Sequence, residues 1–266
     1  MQIEKEKKNK GSIIIIILLL IALLGTTGYI IYDKVVKKEP SQEEKKETPK
    51  EKEEETSQRE LIEEEQATLL SQIEAYTSTL AGQYPFDEKT PLENQQVLLF
   101  GLIQLESTGQ DFMESDLEKV LQQYFGENHP YQHENIECFL GDGTLYIYDS
   151  AKREYRFQDY HGHGGQGIYP NEVYYLNGNT DEQTYTVNVN ILYGDYCNST
   201  CGPTTSYYTT VNDSRNGTNS ILGPYEEQHI ITQEEYNSVQ ATLPITTFTF
   251  EKDELGNYGL KSVTIQ

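Results

Sequence analysis

The chain has 266 residues, with 43 acidic and 20 basic side chains and a net charge of −23 at pH 7. Residues 1–57 carry 11 groups of each sign, so the whole excess belongs to residues 58–266. Such a segment repels phosphate backbones and anionic lipid surfaces. Nucleic acid is thereby excluded as a partner, while cationic partners, metal ions or a positively charged matrix stay compatible; acidity also serves solubility alone.

The first predicted element is the apolar run Ile13–Tyr32, preceded by a twelve-residue tail, 1–12. About 20 residues at ~1.5 Å rise cross a ~30 Å hydrocarbon core. The run is longer than the apolar region of a cleaved signal peptide, and Thr26-Thr27-Gly28 makes a poor cleavage site. A signal anchor is expected at 13–32, making the chain a single-pass protein of the cell membrane. Lysines flank both sides (Lys5, Lys7, Lys8 and Lys10 before, Lys34, Lys37, Lys38, Lys45 and Lys46 after) and nearly balance the positive-inside count. The short tail is expected in the cytoplasm and the long C-terminal part outside, because long domains translocate largely regardless of charge.

Residues 33–56 are dominated by Lys and Glu, with Pro40 and Pro49 and almost nothing apolar after Val36. Without a hydrophobic stripe this segment cannot bury surface, and it reads as a charged stalk.

Residues 57–126 read as helical. Capping-box pairs open three helices: Ser57 with Glu60, Thr90 with Glu93 beside Pro91, and Ser115 with Glu118. The first carries Ile62, Leu69, Ile73, Tyr76 and Leu80 on one face and closes at Gly82. Leu98, Leu99, Leu102, Ile103 and Leu105 make the second strongly apolar. The third buries Leu117, Val120, Leu121, Tyr124 and Phe125 and stops at Gly126.

Across 127–266 the apolar period shifts to 2. Ile136–Leu140 and Leu145–Tyr148 flank Gly141-Asp142-Gly143 as a hairpin, continued by Arg153–Phe157. Val173–Leu176 and Thr184–Tyr193 follow, joined by the turn-rich 177–181, and then a strand at Ser206–Val211. Thr232 with Glu235 starts a short helix to Leu243. Ile245–Glu251 and Tyr258–Ile265 make a last hairpin. Helices first and an antiparallel sheet afterwards predict an α+β fold, about three helices packed on one sheet. The element order resembles cystatin-like and nuclear transport factor two-like domains, an analogy of architecture carried by no sequence motif.

Three stretches could carry chemistry. His161-Gly162-His163 places two imidazoles on one side of an extended chain amid glycines, a geometry suited to zinc or copper. His129, His133, Glu134, Cys138 and Asp159 are further potential ligands, yet no standard zinc spacing completes the set, and a Gly-rich surface loop has the same composition. Cys197 and Cys201 could close a small disulfide in an oxidising setting; their spacing is one residue longer than the redox Cys-x-x-Cys. Asn177, Asn179 and Asp181 alternate like calcium-loop ligands, but Glu182 and Asn188 stand where that loop needs Gly and Glu. No motif identifies a cofactor or a catalytic residue. The expected role is a non-enzymatic interaction or ligand-binding module facing a protein or cell-wall partner. The alternative is a metal-binding protein or metal-dependent extracellular enzyme using His161 and His163.

Overall fold

In the computed structural model the described residues are 58–105, 109–137, 143–158, 171–197, 204–226 and 229–266. The expected cytoplasmic tail, anchor and stalk lie outside them; among the described residues no helix is long and apolar enough to cross a membrane.

A two-residue strand, β1 (Arg59–Glu60), precedes helix α1 (Glu63–Leu80). This corrects the expected start at Ser57 and Glu60. Glu60 pairs with Asn179, and the helix is opened instead by Glu65, whose carboxylate accepts the Ile62 N–H at 3.1 Å and both Arg59 Nη atoms at 2.7 and 2.8 Å. A 3₁₀ turn (Ala81–Gln83) follows, then α2 (Asn94–Gln104). Thr90 is not its cap, because the Asp87 carboxylate accepts the N–H groups of Lys89 and Thr90 at 2.8 Å each and holds them in a turn. Strand β2 (Phe112–Met113) runs directly into α3 (Glu114–Phe125), which ends as expected at Gly126, with φ +80°.

Strands β3 (Ile136–Glu137), β4 (Thr144–Asp149) and β5 (Glu154–Phe157) form the expected meander, and β2 adds to β5 to complete a four-stranded antiparallel sheet. The remaining strands are β6 (Glu172–Thr180), β7 (Thr184–Cys197), β8 (Thr204–Tyr208), β9 (Leu222–Glu226), β10 (Thr246–Lys252) and β11 (Tyr258–Ile265). They build a second sheet of seven strands, ordered β1-β6-β7-β10-β11, with β8 on β7 and β9 on β8. The fold is therefore α+β with two antiparallel sheets, where one had been expected. Residues 177–180, expected in a loop, continue β6 past a bulge at Tyr175/Asn177. Two short helices, α4 (Val211–Asn216) and α5 (Gln233–Val239), bring the helices to five among the described residues; α5 begins at the expected Thr232 cap, and α4 starts where the strand at 206–211 was expected to continue.

The long strand β7 organises the core. Tyr185, Val187, Val189, Ile191 and Tyr193 are all at most 5 % exposed and join Leu69, Ile73, Tyr76, Leu98, Phe100, Leu121 and Phe125 of the helices in one cluster. Tyr76 and Phe100 stack at 5.1 Å, and the Tyr76 hydroxyl donates to the Tyr124 carbonyl. Successive strand residues point to opposite faces, so Leu192 turns away from Ile191 and joins Tyr207, Ile231, Tyr236 and Leu243 in a smaller cluster. Tyr146, Tyr155 and Phe112 bring the four-stranded sheet into the main core. Ile103 departs from the expected burial at 37 % exposed, while Val97 and Phe100 take the inward positions of α2.

Candidate functional site

His161, His163, Cys138, Cys201 and Asp159 lie outside the described residues. Cys197 ends β7, its backbone in register with Thr204. Of the other expected ligands, His129 stacks on Phe125 at 4.7 Å, and Glu134 accepts from the side-chain amides of Asn94 and Gln95 at 2.6 and 2.9 Å. Among the described residues, neither belongs to the group of potential metal ligands around His133. Asn177 and Asp181 also serve the sheet: Asn177 Oδ1 accepts from the Asn188 amide, and Asp181 Oδ1 accepts the Gln183 and Thr184 N–H groups in the β6–β7 turn.

His133 does meet two carboxylates. Glu114 opens α3 and Glu118 stands one turn later on the same face, so both approach the segment before β3. His133 Nε2 lies 3.5 Å from Glu118 Oε1 and 3.9 Å from Glu114 Oε1; the three ligand atoms fall within 4.8 Å of one another. The Tyr155 hydroxyl pairs with His133 Nδ1 at 2.9 Å, and the imidazole stacks on Tyr148 at 5.3 Å. These contacts fix the ring as an outer partner fixes a metal-ligating histidine.

A cation is already present. Arg153 occupies the four-residue turn between β4 and β5 at φ +54°, and its carbonyl accepts the Glu114 N–H at 2.9 Å. Its Nε donates to Glu114 Oε1 at 2.8 Å, its Nη2 to the same oxygen, and Nη2 also lies 3.6 Å from Glu118. The Tyr148 hydroxyl donates to the other Glu114 oxygen. The guanidinium, and after it the phenol, hold the Glu114 carboxyl below its ordinary pKa against the opposing effect of burial, while Glu114 pushes Tyr148 up to about 12. A divalent ion could bind here only by displacing Arg153. As it stands, the cluster is a charge-assisted cross-link between α3, β4 and the β4–β5 turn.

His229 makes a second contact with a carboxylate. Its Nε2 lies 3.1 Å from both Glu235 oxygens, and its ring stacks on Tyr225 at 3.7 Å. Glu235 also accepts the N–H and hydroxyl of Thr232 at 2.8 Å each, which, with His229, draws its pKa down to about 2. The His229 carbonyl accepts the Tyr207 hydroxyl at 2.6 Å. The pair therefore ties the α5 cap to β8 and β9. The capping role of Glu235 was readable from the Thr232 spacing. The Arg153 cross-link was not, although the Glu114–Glu118 spacing was a signal that two carboxylates share a helix face.

No protein-family model, no curated protein and no solved structure matches this chain.

Proposed function

We propose that this chain is a single-pass membrane protein that displays its acidic α+β domain outside the cell as a non-enzymatic interaction or ligand-binding module. The carrying observation is the uninterrupted apolar segment Ile13–Tyr32, followed by a charged stalk and a domain that holds the entire net charge of −23. The N-terminus is cytoplasmic, the membrane is engaged through residues 13–32, and the partner is a protein or cell-wall component. The engagement of Glu114 and Glu118 by Arg153, of His133 by Tyr155, and of Glu235 by the Thr232 cap supports a non-catalytic role. Helices followed by antiparallel strands support a cystatin-like or nuclear transport factor two-like plan by analogy of element order.

Protease treatment of intact cells expressing the full chain tests the topology. Trypsin is expected to cut the lysine-rich stalk, release the domain and leave a membrane fragment that begins at Met1. A domain protected until the cells are lysed, or a mature chain beginning near Tyr29, would sink the reading. The alternative through His161 and His163 would replace it if the purified full chain carries near-stoichiometric metal that the His161→Ala, His163→Ala double variant loses.

A further inference from the structure

Strand β6 lies at the margin of the seven-stranded sheet, with β7 along one side. On its other side β1 pairs only with Asn179 and Thr180, and the Leu61 N–H reaches the Gly178 carbonyl at 3.3 Å. Among the described residues no strand covers the outer side of Glu172–Asn177. Within that stretch Glu172–Tyr175 keeps an unbroken register with Leu192–Val189, ahead of the bulge at Tyr175/Asn177. A regular edge presents unpaired N–H and C=O groups, a template for a strand from another chain. The edge strand β9 is a poorer template, because Pro224 has no N–H to donate.

Beside the β6 edge, the outer face of α1 and the start of β6 line a groove of about 570 Å³. Glu74 and Glu172 are the charged side chains of its lining, both acidic, and neither forms an ion pair among the described residues. Glu172 accepts the Ile231 N–H, which holds it in place. Burial, and after it the Glu74 carboxylate, push the Glu172 carboxyl up, with the Ile231 N–H and His229 opposing. Asn171 is fixed too: its amide donates to the Thr77 carbonyl at 3.1 Å, and its Oδ1 accepts the Gly194 N–H at 3.2 Å. The groove is thus a built, acidic recess next to an open strand edge.

We propose that this edge takes an extended peptide segment of a partner protein, added as a strand beside Glu172–Tyr175, with a lysine or arginine side chain entering the groove between Glu74 and Glu172. In strand addition main-chain hydrogen bonds supply affinity, and pockets for alternate side chains supply specificity. The net charge of −23 held by residues 58–266 favours a basic segment and disfavours a second copy of the same domain. The inference names the partner chemistry of the proposed interaction module and rests on that reading. The two fail separately, because a domain found inside the cell would end the display reading without changing what the edge binds.

The test is a fluorescence-anisotropy titration of the purified full chain with a short blocked peptide alternating valine and lysine. Its glutamate counterpart and its backbone N-methylated form serve as controls. The lysine peptide is expected to bind with a Kd below roughly 1 mM, and both controls at least several-fold more weakly. Glu74→Gln and Glu172→Gln should each weaken it about threefold with an unchanged melting temperature, since glutamine still offers an acceptor to the Ile231 N–H. If Glu172→Gln does not fold, Glu74→Gln, on the exposed face of α1, carries the test. Amide exchange at Glu172–Tyr175 should slow when the peptide binds. No binding at roughly 1 mM, equal binding of either control, or binding unchanged in the variants would overturn the inference. So would self-association of the full chain that protects the same amides, which would assign the edge to a second copy.

Discussion

Glu114 shows how one carboxylate can look functional and act structurally. It is 5 % exposed, sits at a helix start and faces a histidine, yet its oxygens accept from Arg153 and Tyr148. Arg153, at 65 % side-chain exposure, is solvated at its outer edge, so removing its partner strands it only partly. Glu114→Ala is expected to destabilise the domain by about 2 kcal/mol, the scale of a lost charge-assisted hydrogen bond. Urea unfolding measures this, and a loss under about 0.5 kcal/mol would show that the cross-link contributes nothing. The same residues explain why Tyr148 and Tyr155, which fall in the strands read at Leu145–Tyr148 and Arg153–Phe157, matter beyond packing: their hydroxyls orient Glu114 and His133.

At the scale of elements, close approach decides which helix lies against which strand. A Cβ at Gly259 of β11 would stand 2.7 Å from the Phe125 carbonyl oxygen and 2.8 Å from the Gly126 nitrogen, so the glycine lets the end of α3 rest on the strand backbone. Both obstructions are backbone atoms that cannot rotate away. Gly259→Ala should therefore cost about 2 kcal/mol by overpacking, read as a lowered urea midpoint, and an unchanged midpoint would contradict this packing. The outer side of β11 is covered too: Phe86 and Val263 exchange backbone hydrogen bonds of 3.0 and 2.9 Å, which blunts an otherwise exposed edge strand.

Over the whole molecule, acid stability depends on groups whose folded and unfolded proton affinities differ. Burial lowers His129 from 6.5 to about 4, so the unfolded chain binds its proton first, and stability falls as pH drops through that window. Glu65, Glu114 and Glu235 are held below their ordinary values, Glu65 and Glu114 first by hydrogen bonds from arginine and Glu235 first by the Thr232 N–H. Their contribution is present above about 4.5 and is lost toward the folded values, about 2 for Glu235. Protonation also relieves the general repulsion of a strongly acidic chain, which works in the opposite direction. A comparison with His129→Gln cancels that common term. Between pH 7 and 4.5 the wild type is expected to lose about 2 kcal/mol relative to the variant, after discounting for partial exposure. Parallel profiles in urea unfolding would exclude a buried neutral imidazole at 129.

What sequence alone determined is what local chemistry encodes. Period and composition place the helical faces of Leu69, Ile73 and Tyr76 and of Leu117, Leu121 and Phe125, the alternation of β7, the Thr232–Glu235 cap and the stop at Gly126. Each depends on neighbours within a turn or two of the chain. Only the tertiary structure decided the rest. It divided the strands between two sheets, turned Glu60 into a strand partner instead of a cap, recruited Phe112–Met113 beside β5, and brought Arg153 to Glu114 from 39 residues away. It likewise set Arg215 over Gly82. Sheet membership and side-chain convergence are set by pairings between distant segments, whose energies favour a partner only once the core has placed both in reach.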